Sequence, residues 1–102
     1  MVLFFNSFKR VRDNELKALY YIDKNEIGNA EKLLHRNLRI GTDSILTFDL
    51  LIRIYSQKKD YSFLIRTLND GIKKTGKKDF YRKLKKAAIV SRLLQDIEDL
   101  SG

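Results

Sequence analysis

The chain contains no cysteine, no proline and no tryptophan, and only one histidine in 102 residues. Each shortage excludes something. Without cysteine there is no disulfide scaffold and no thiolate zinc site. One histidine leaves a transition-metal site almost nothing to be built from, and no metal or cofactor is expected. No stretch approaches the roughly 20 apolar residues of a membrane span. The apolar start, Met1 to Phe5, is short and precedes its charges (Lys9, Arg10) instead of following them, the reverse of a signal peptide. The expectation is a soluble, cytoplasmic chain. Val2, Leu3, Phe4, Phe5 and Phe8 then need cover, either from the domain's own core or from a partner or second copy.

No catalytic set accompanies His35. There is no Gly-rich phosphate loop and no acidic pair at ligand spacing, and a lone helical histidine is more often a surface or half-buried residue than a base. Asp96, Glu98 and Asp99 read as a solvated acidic patch at a helix end. The chain is therefore read as a non-enzyme.

What is present is 43% apolar and 11% aromatic residues, enough for a core in one small domain spanning 1–102. No alternating β-branched run stands between turn signals, so strands are absent from the reading. Apolar residues recur instead at helical spacing. Leu16, Leu19 and Tyr20 mark a first helix from Asp13, its candidate N-cap, to Asp23. Ile27, Ala30, Leu33, Leu34 and Leu38 mark a second, from about Glu26 to Ile40, stopped by Gly41. A third opens at Asp43 or Ser44 and runs through Phe48, Leu51, Ile52 and Tyr55 to a turn at Ser56–Lys59. A fourth, capped by Asp60, runs through Phe63, Leu64, Leu68 and Ile72 to Gly76. Asp79 opens a last segment to about Leu100. The expected fold class is all-α, about five helices in antiparallel hairpins: 13–40, 43–75, and a terminal helix 79–100.

The two hairpins repeat. Tyr21 and Tyr55 stand 34 residues apart, as do Ile27 and Tyr61, Ala30 and Leu64, Leu34 and Leu68, and Leu38 and Ile72. On these residues the chain resembles the tetratricopeptide-repeat family, whose helix-turn-helix unit has that period. The resemblance covers about residues 13 to 100, as two degenerate repeats plus a terminal helix. Leu64 stands where the family usually has Ala, Lys17 where it has an apolar residue, and Thr42 and Gly76 where Pro commonly closes a repeat. The resemblance implies a short right-handed solenoid; a plain five-helix bundle is the alternative.

It also implies function. Members of this family are protein-binding scaffolds whose first helices line a concave groove for a partner's peptide or amphipathic helix. Carried over, the groove positions are Glu15, Leu19 and Ile22, then Asp49, Arg53 and Ser56, then Lys83, Ala87 and Val90. The best-known groove of the family grips a C-terminal carboxylate. Glu15 and Asp49 stand at the gripping positions here and would repel one. Small two-repeat members also serve as chaperones for type III secretion needle subunits, masking a client helix. An adaptor or small chaperone is thus the first reading, and a basic nucleic-acid-associated protein the second.

The formal charge of +8 is not spread evenly. Between 73 and 86 stand eight basic residues (Lys73, Lys74, Lys77, Lys78, Arg82, Lys83, Lys85, Lys86) against one acid, Asp79. Lys83, Lys85 and Lys86 fall in the opening turns of a helix, where the macrodipole opposes cations. Stability alone would not put them there. An acidic partner, a nucleic-acid backbone or solubility would each account for the cluster. The neighbouring aromatics, Phe80 and Tyr81, read as packing residues.

In the last segment, Phe80, Tyr81, Leu84, Ala87 and Ala88 form one stripe, and Ile89, Val90, Leu93, Ile97 and Leu100 form another, well over a quarter turn away. Either the segment breaks near 87–90, or it continues and offers its second half elsewhere, as an oligomer face for a homodimer or to the N-terminal Phe cluster.

Overall fold

The turns decide where these helices stop. Asn25 and Lys59, again 34 residues apart, both take a left-handed backbone conformation, with φ of 60° and 57°. In each turn the amide of the residue after the left-handed one reaches back five residues to a tyrosine carbonyl: Glu26 N–H to Tyr21 O at 2.7 Å, Asp60 N–H to Tyr55 O at 3.0 Å. This back-bonding satisfies carbonyls that the ending helix would orphan. Gly41 and Gly76, with φ of 85° and 65°, end the next helices in each pair the same way.

A computed structural model describes residues 2–101, with side chains from Ser7 onward. The protein is all-α. Five helices follow in order: α1 (Val2–Asp23), α2 (Ile27–Ile40), α3 (Ile45–Lys58), α4 (Tyr61–Thr75) and α5 (Lys78–Ser101), with no strand among the described residues. Each helix packs on the one before and the one after it. Four of the five 34-residue pairs sit in matching environments: Ala30 and Leu64 buried, Leu34 and Leu68 buried, Ile27 and Tyr61 half-buried, Leu38 and Ile72 half-buried; the fifth differs, Tyr21 being half-buried and Tyr55 buried. The core centres on α3, whose Phe48, Leu50, Leu51 and Ile54 are fully buried beside Leu34, Leu68 and Phe80. At Gly71 the three later helices meet so closely that a Cβ there would stand 3.0 Å from the Phe80 ring and 3.3 Å from the Phe48 ring.

Two expectations are corrected and one open alternative is decided. Asp13 is not an N-cap; it lies inside α1, which begins at Val2. The reason is that the buried stripe of Ala18 and Glu15 continues upstream to Val11 at the same spacing, so nothing stops the helix at Asp13. Asp79 does not open α5 either. The helix starts at Lys78, and Asp79 sits in its first turn. Its carboxylate pairs with Lys83 one turn on, at 3.1 Å. The last segment does not break near 87–90 but is one helix of 24 residues. Its change of face follows from length. At about 1.5 Å per residue, the 15-residue α4 is far shorter than α5. Phe80, Leu84 and Ala87 pack against the body, whereas every residue from Arg92 to Ser101 is exposed. This overhang helps stretch the molecule to 56 × 30 × 18 Å.

The helix at the N-terminus includes Val2 to Phe5, but their side chains lie outside the described residues, so the cover expected for that cluster is not addressed beyond Phe8, which is exposed. Among the described residues no helix is long and apolar enough to cross a membrane.

Candidate functional site

Six of the nine groove positions come together. Asp49, Arg53 and Ser56 on α3 and Lys83, Ala87 and Val90 on α5 face one another across a groove of about 490 Å³. Tyr61 and Leu64 of α4 help to line it, and Lys77 and Lys86 complete its wall. The spacing explains the convergence. Asp49, Arg53 and Ser56 lie three and four apart, on one face of α3, and Lys83, Ala87 and Val90 do the same on α5.

The charges in the groove are not those a linear reading suggests. Asp49 does not present a bare carboxylate, because Lys77 Nζ lies 3.4 Å from its Oδ2 and both side chains are about one-third exposed. Lys83 is held by Asp79, whose carboxyl stays below the usual carboxylate range, first through its bond to Lys83 and then through the nearby charges of Lys83, Arg82 and Lys77. Arg53 and Lys86 are exposed on the wall. The groove is therefore basic, with apolar ground at Ile52, Leu64, Ala87 and Val90.

The three positions from the first hairpin do not join it. Leu19 and Ile22 are not among the groove's lining residues. Glu15 is only 6% exposed, so it is no open contact. Its Oε2 accepts hydroxyl bonds from Ser44 at 2.5 Å and from Thr47 at 2.7 Å. Thr47 Oγ1 in turn accepts from Asn37 Nδ2 at 3.0 Å, and the same amide nitrogen donates to the Val11 carbonyl at 3.0 Å. Asn14 Nδ2 closes the chain by donating to Asn37 Oδ1 at 2.9 Å. Glu15 thus ties α1 to α3 through a fully partnered buried network. It stands behind a second cleft of about 640 Å³, between α1 and the α2–α3 junction, where Val11, Leu16, Ile40 and Leu46 give an apolar lining. Sequence reasoning missed this cleft; Thr47 at a core position of α3 is the signal that a polar partner faces it.

His35 belongs to a polar cluster on α2 and α3. Its Nε2 lies 2.7 Å from the Tyr55 hydroxyl. Glu31 Oε2 is 3.5 Å from that hydroxyl and its other oxygen pairs with Lys58. Burial, then the charges of Glu31 and Asp60, push the Tyr55 phenol up to about 12. Tyr55 stacks on Phe63 and carries no open face toward the groove.

The basic cluster divides. Lys77, Lys83 and Lys86 line the groove. Lys73, Lys74, Lys78, Arg82 and Lys85 are exposed elsewhere around the α4–α5 junction. Phe80 is fully buried, as expected of a packing residue, but Tyr81 is 54% exposed, which corrects its reading. On α5 it stands between Lys78, three residues before, and Lys85, four after. Among the described residues, no three of His, Asp or Glu stand together so as to hold a metal ion. No family model matches the chain, and neither the curated proteins nor the solved structures compared with it give a match.

Proposed function

We propose that the protein is a non-catalytic binding module, an adaptor or small chaperone of short tetratricopeptide-like solenoid form, whose α3–α5 groove holds an acidic, partly apolar segment of a partner protein. The observation that carries this is the convergence of Arg53, Lys83 and Lys86 with Ala87 and Val90 on one concave surface. Apolar ground supplies burial; the cations supply orientation and on-rate. The matching environments of four of the five 34-residue pairs support the repeat reading, since stacked equivalent hairpins share one core. Because Lys77 neutralises Asp49, a carboxylate entering near Arg53 meets net positive charge.

Selection of a displayed random-peptide library on the chain tests the proposal. Enriched peptides should carry Asp or Glu beside apolar residues, and binding should drop at least tenfold for the Arg53→Glu/Lys86→Glu variant. Enrichment indifferent to that variant, or no enrichment, refutes the groove.

A second reading has one observation in its favour: Tyr81 exposed among lysines is the arrangement a single-stranded nucleic acid stacks on. Anisotropy of a labelled oligonucleotide against salt separates the two. A steep log–log slope reflecting several phosphate contacts, weakened by Tyr81→Ala, favours nucleic acid. Peptide binding that survives salt favours the adaptor.

A further inference from the structure

The overhang of α5 leaves an apolar stripe that nothing in the described chain covers. Val90, Leu93, Ile97 and Leu100 are spaced three, four and three residues apart, the alternation of a coiled-coil seam, with Ile89 beside it. Ile89, Leu93, Ile97 and Leu100 are all more than half exposed, Leu100 at 88%. Three features say what fits there.

The first is charge along the helix. Arg82, Lys83, Lys85 and Lys86 make its first half basic, and Asp96, Glu98 and Asp99 make its end acidic. A parallel copy would set acids level with acids. An antiparallel copy brings Arg92 level with Glu98 on both sides of the pair and keeps the acids apart, with the two macrodipoles opposed. The second is shape. Each body ends near Val90, so an antiparallel copy carries its body beyond Leu100, clear of the first. The third is area. Full cover of the stripe, with Leu94, would remove roughly 500 Å² per copy, so a pair falls below the standard size and among the small, weak interfaces.

We infer that a second copy of this chain docks antiparallel on the 89–100 stripe, pairing Val90 of each copy with Leu100 of the other and Leu93 with Ile97. An interface this small belongs with the weak, reversible ones. The inference shares Val90 with the proposed partner groove but not Leu93, Ile97 or Leu100, which lie outside its lining, so Leu93→Glu/Ile97→Glu tests the dimer without altering the groove.

Sedimentation velocity over a concentration series on the full chain tests it. The sedimentation coefficient should rise toward that of a dimer between roughly 5 and 200 µM, and Leu93→Glu/Ile97→Glu should sediment as a monomer throughout, with helical circular dichroism unchanged. Orientation is read by cysteine, of which the chain has none. Chains carrying Val90→Cys mixed with chains carrying Leu100→Cys should form a mixed disulfide, whereas Leu100→Cys alone should not cross-link, its two sulfurs being some ten residues apart along the pair. A wild-type monomer at every concentration overturns the inference, as does a dimer that survives Leu93→Glu/Ile97→Glu or a self-cross-link of Leu100→Cys.

Discussion

Thr47→Val is the most incisive test of how the first hairpin is joined to the second. The substitution keeps the shape of a fully buried side chain and removes one hydroxyl. That hydroxyl donates to Glu15 at 2.7 Å and accepts from Asn37 at 3.0 Å, so it links α1, α2 and α3. Losing a bond to a carboxylate costs about 1.5–3 kcal/mol and losing a neutral one about 1 kcal/mol, and one N–H of the buried Asn37 amide loses its acceptor. Glu15 keeps Ser44 and Asn37 keeps the Val11 carbonyl, and the added methyl recovers part of the loss. The net expectation is a destabilisation of about 2–3 kcal/mol, read by urea denaturation with an unchanged m-value, or as a fall in Tm of about 10 °C or more for a domain of this size. A cycle with Glu15→Ala sharpens it. If the network is real, Thr47→Val costs at least about 1 kcal/mol less once Glu15 is gone. A loss below about 0.5 kcal/mol, or additive single substitutions, would refute the argument that Glu15 is a structural tie.

Other outcomes follow from the same geometry. Gly71→Ala should destabilise by about 1–2 kcal/mol, the overpacking against the buried Phe80 and Phe48 rings outweighing the roughly 1 kcal/mol gain in helix propensity; a rise in Tm would contradict the close approach. The Tyr55 phenol, raised from 10.0 to about 12 in the fold, binds its proton more tightly folded than unfolded. Its contribution is therefore fully present below pH 10 and lost as pH rises through about 12, some 2–3 kcal/mol in all. Tyr55→Phe should remove that part of the alkaline loss, and in wild type the absorbance titration should show one late-titrating phenol. Leu68→Ala empties a fully buried position where α4 meets α3 and should cost about 2–5 kcal/mol in urea melts, whereas Leu93→Ala, on the overhang, should cost less than about 0.5 kcal/mol in a dilute monomer.

The sequence by itself determined the number of helices and the bounds of α2, α3 and α4, because helix spacing and stop signals are local; the start of α1, eleven residues before Asp13, carries no such signal. Gly41, Asp60 and Gly76 end or open helices at the positions their chemistry dictates: Asp60 accepts from the Phe63 amide, and both glycines adopt the left-handed conformation. It also determined the second half of the groove, since Asp49, Arg53 and Ser56 share a face of α3 by spacing alone, as Lys83, Ala87 and Val90 do on α5. Tertiary structure decided what those faces meet. Glu15 has the same spacing relation to Leu19 and Ile22, yet it is buried, because Ser44 and Thr47 arrive from 29 and 32 residues away to bond it. Asp49 loses its repulsive charge to Lys77, 28 residues on. The two stripes of α5 are both written in its residues, but only the shorter length of α4 settles which stripe is core and which stands open. Pairing across such distances depends on where separate helices come to rest, and no local pattern of residues encodes that.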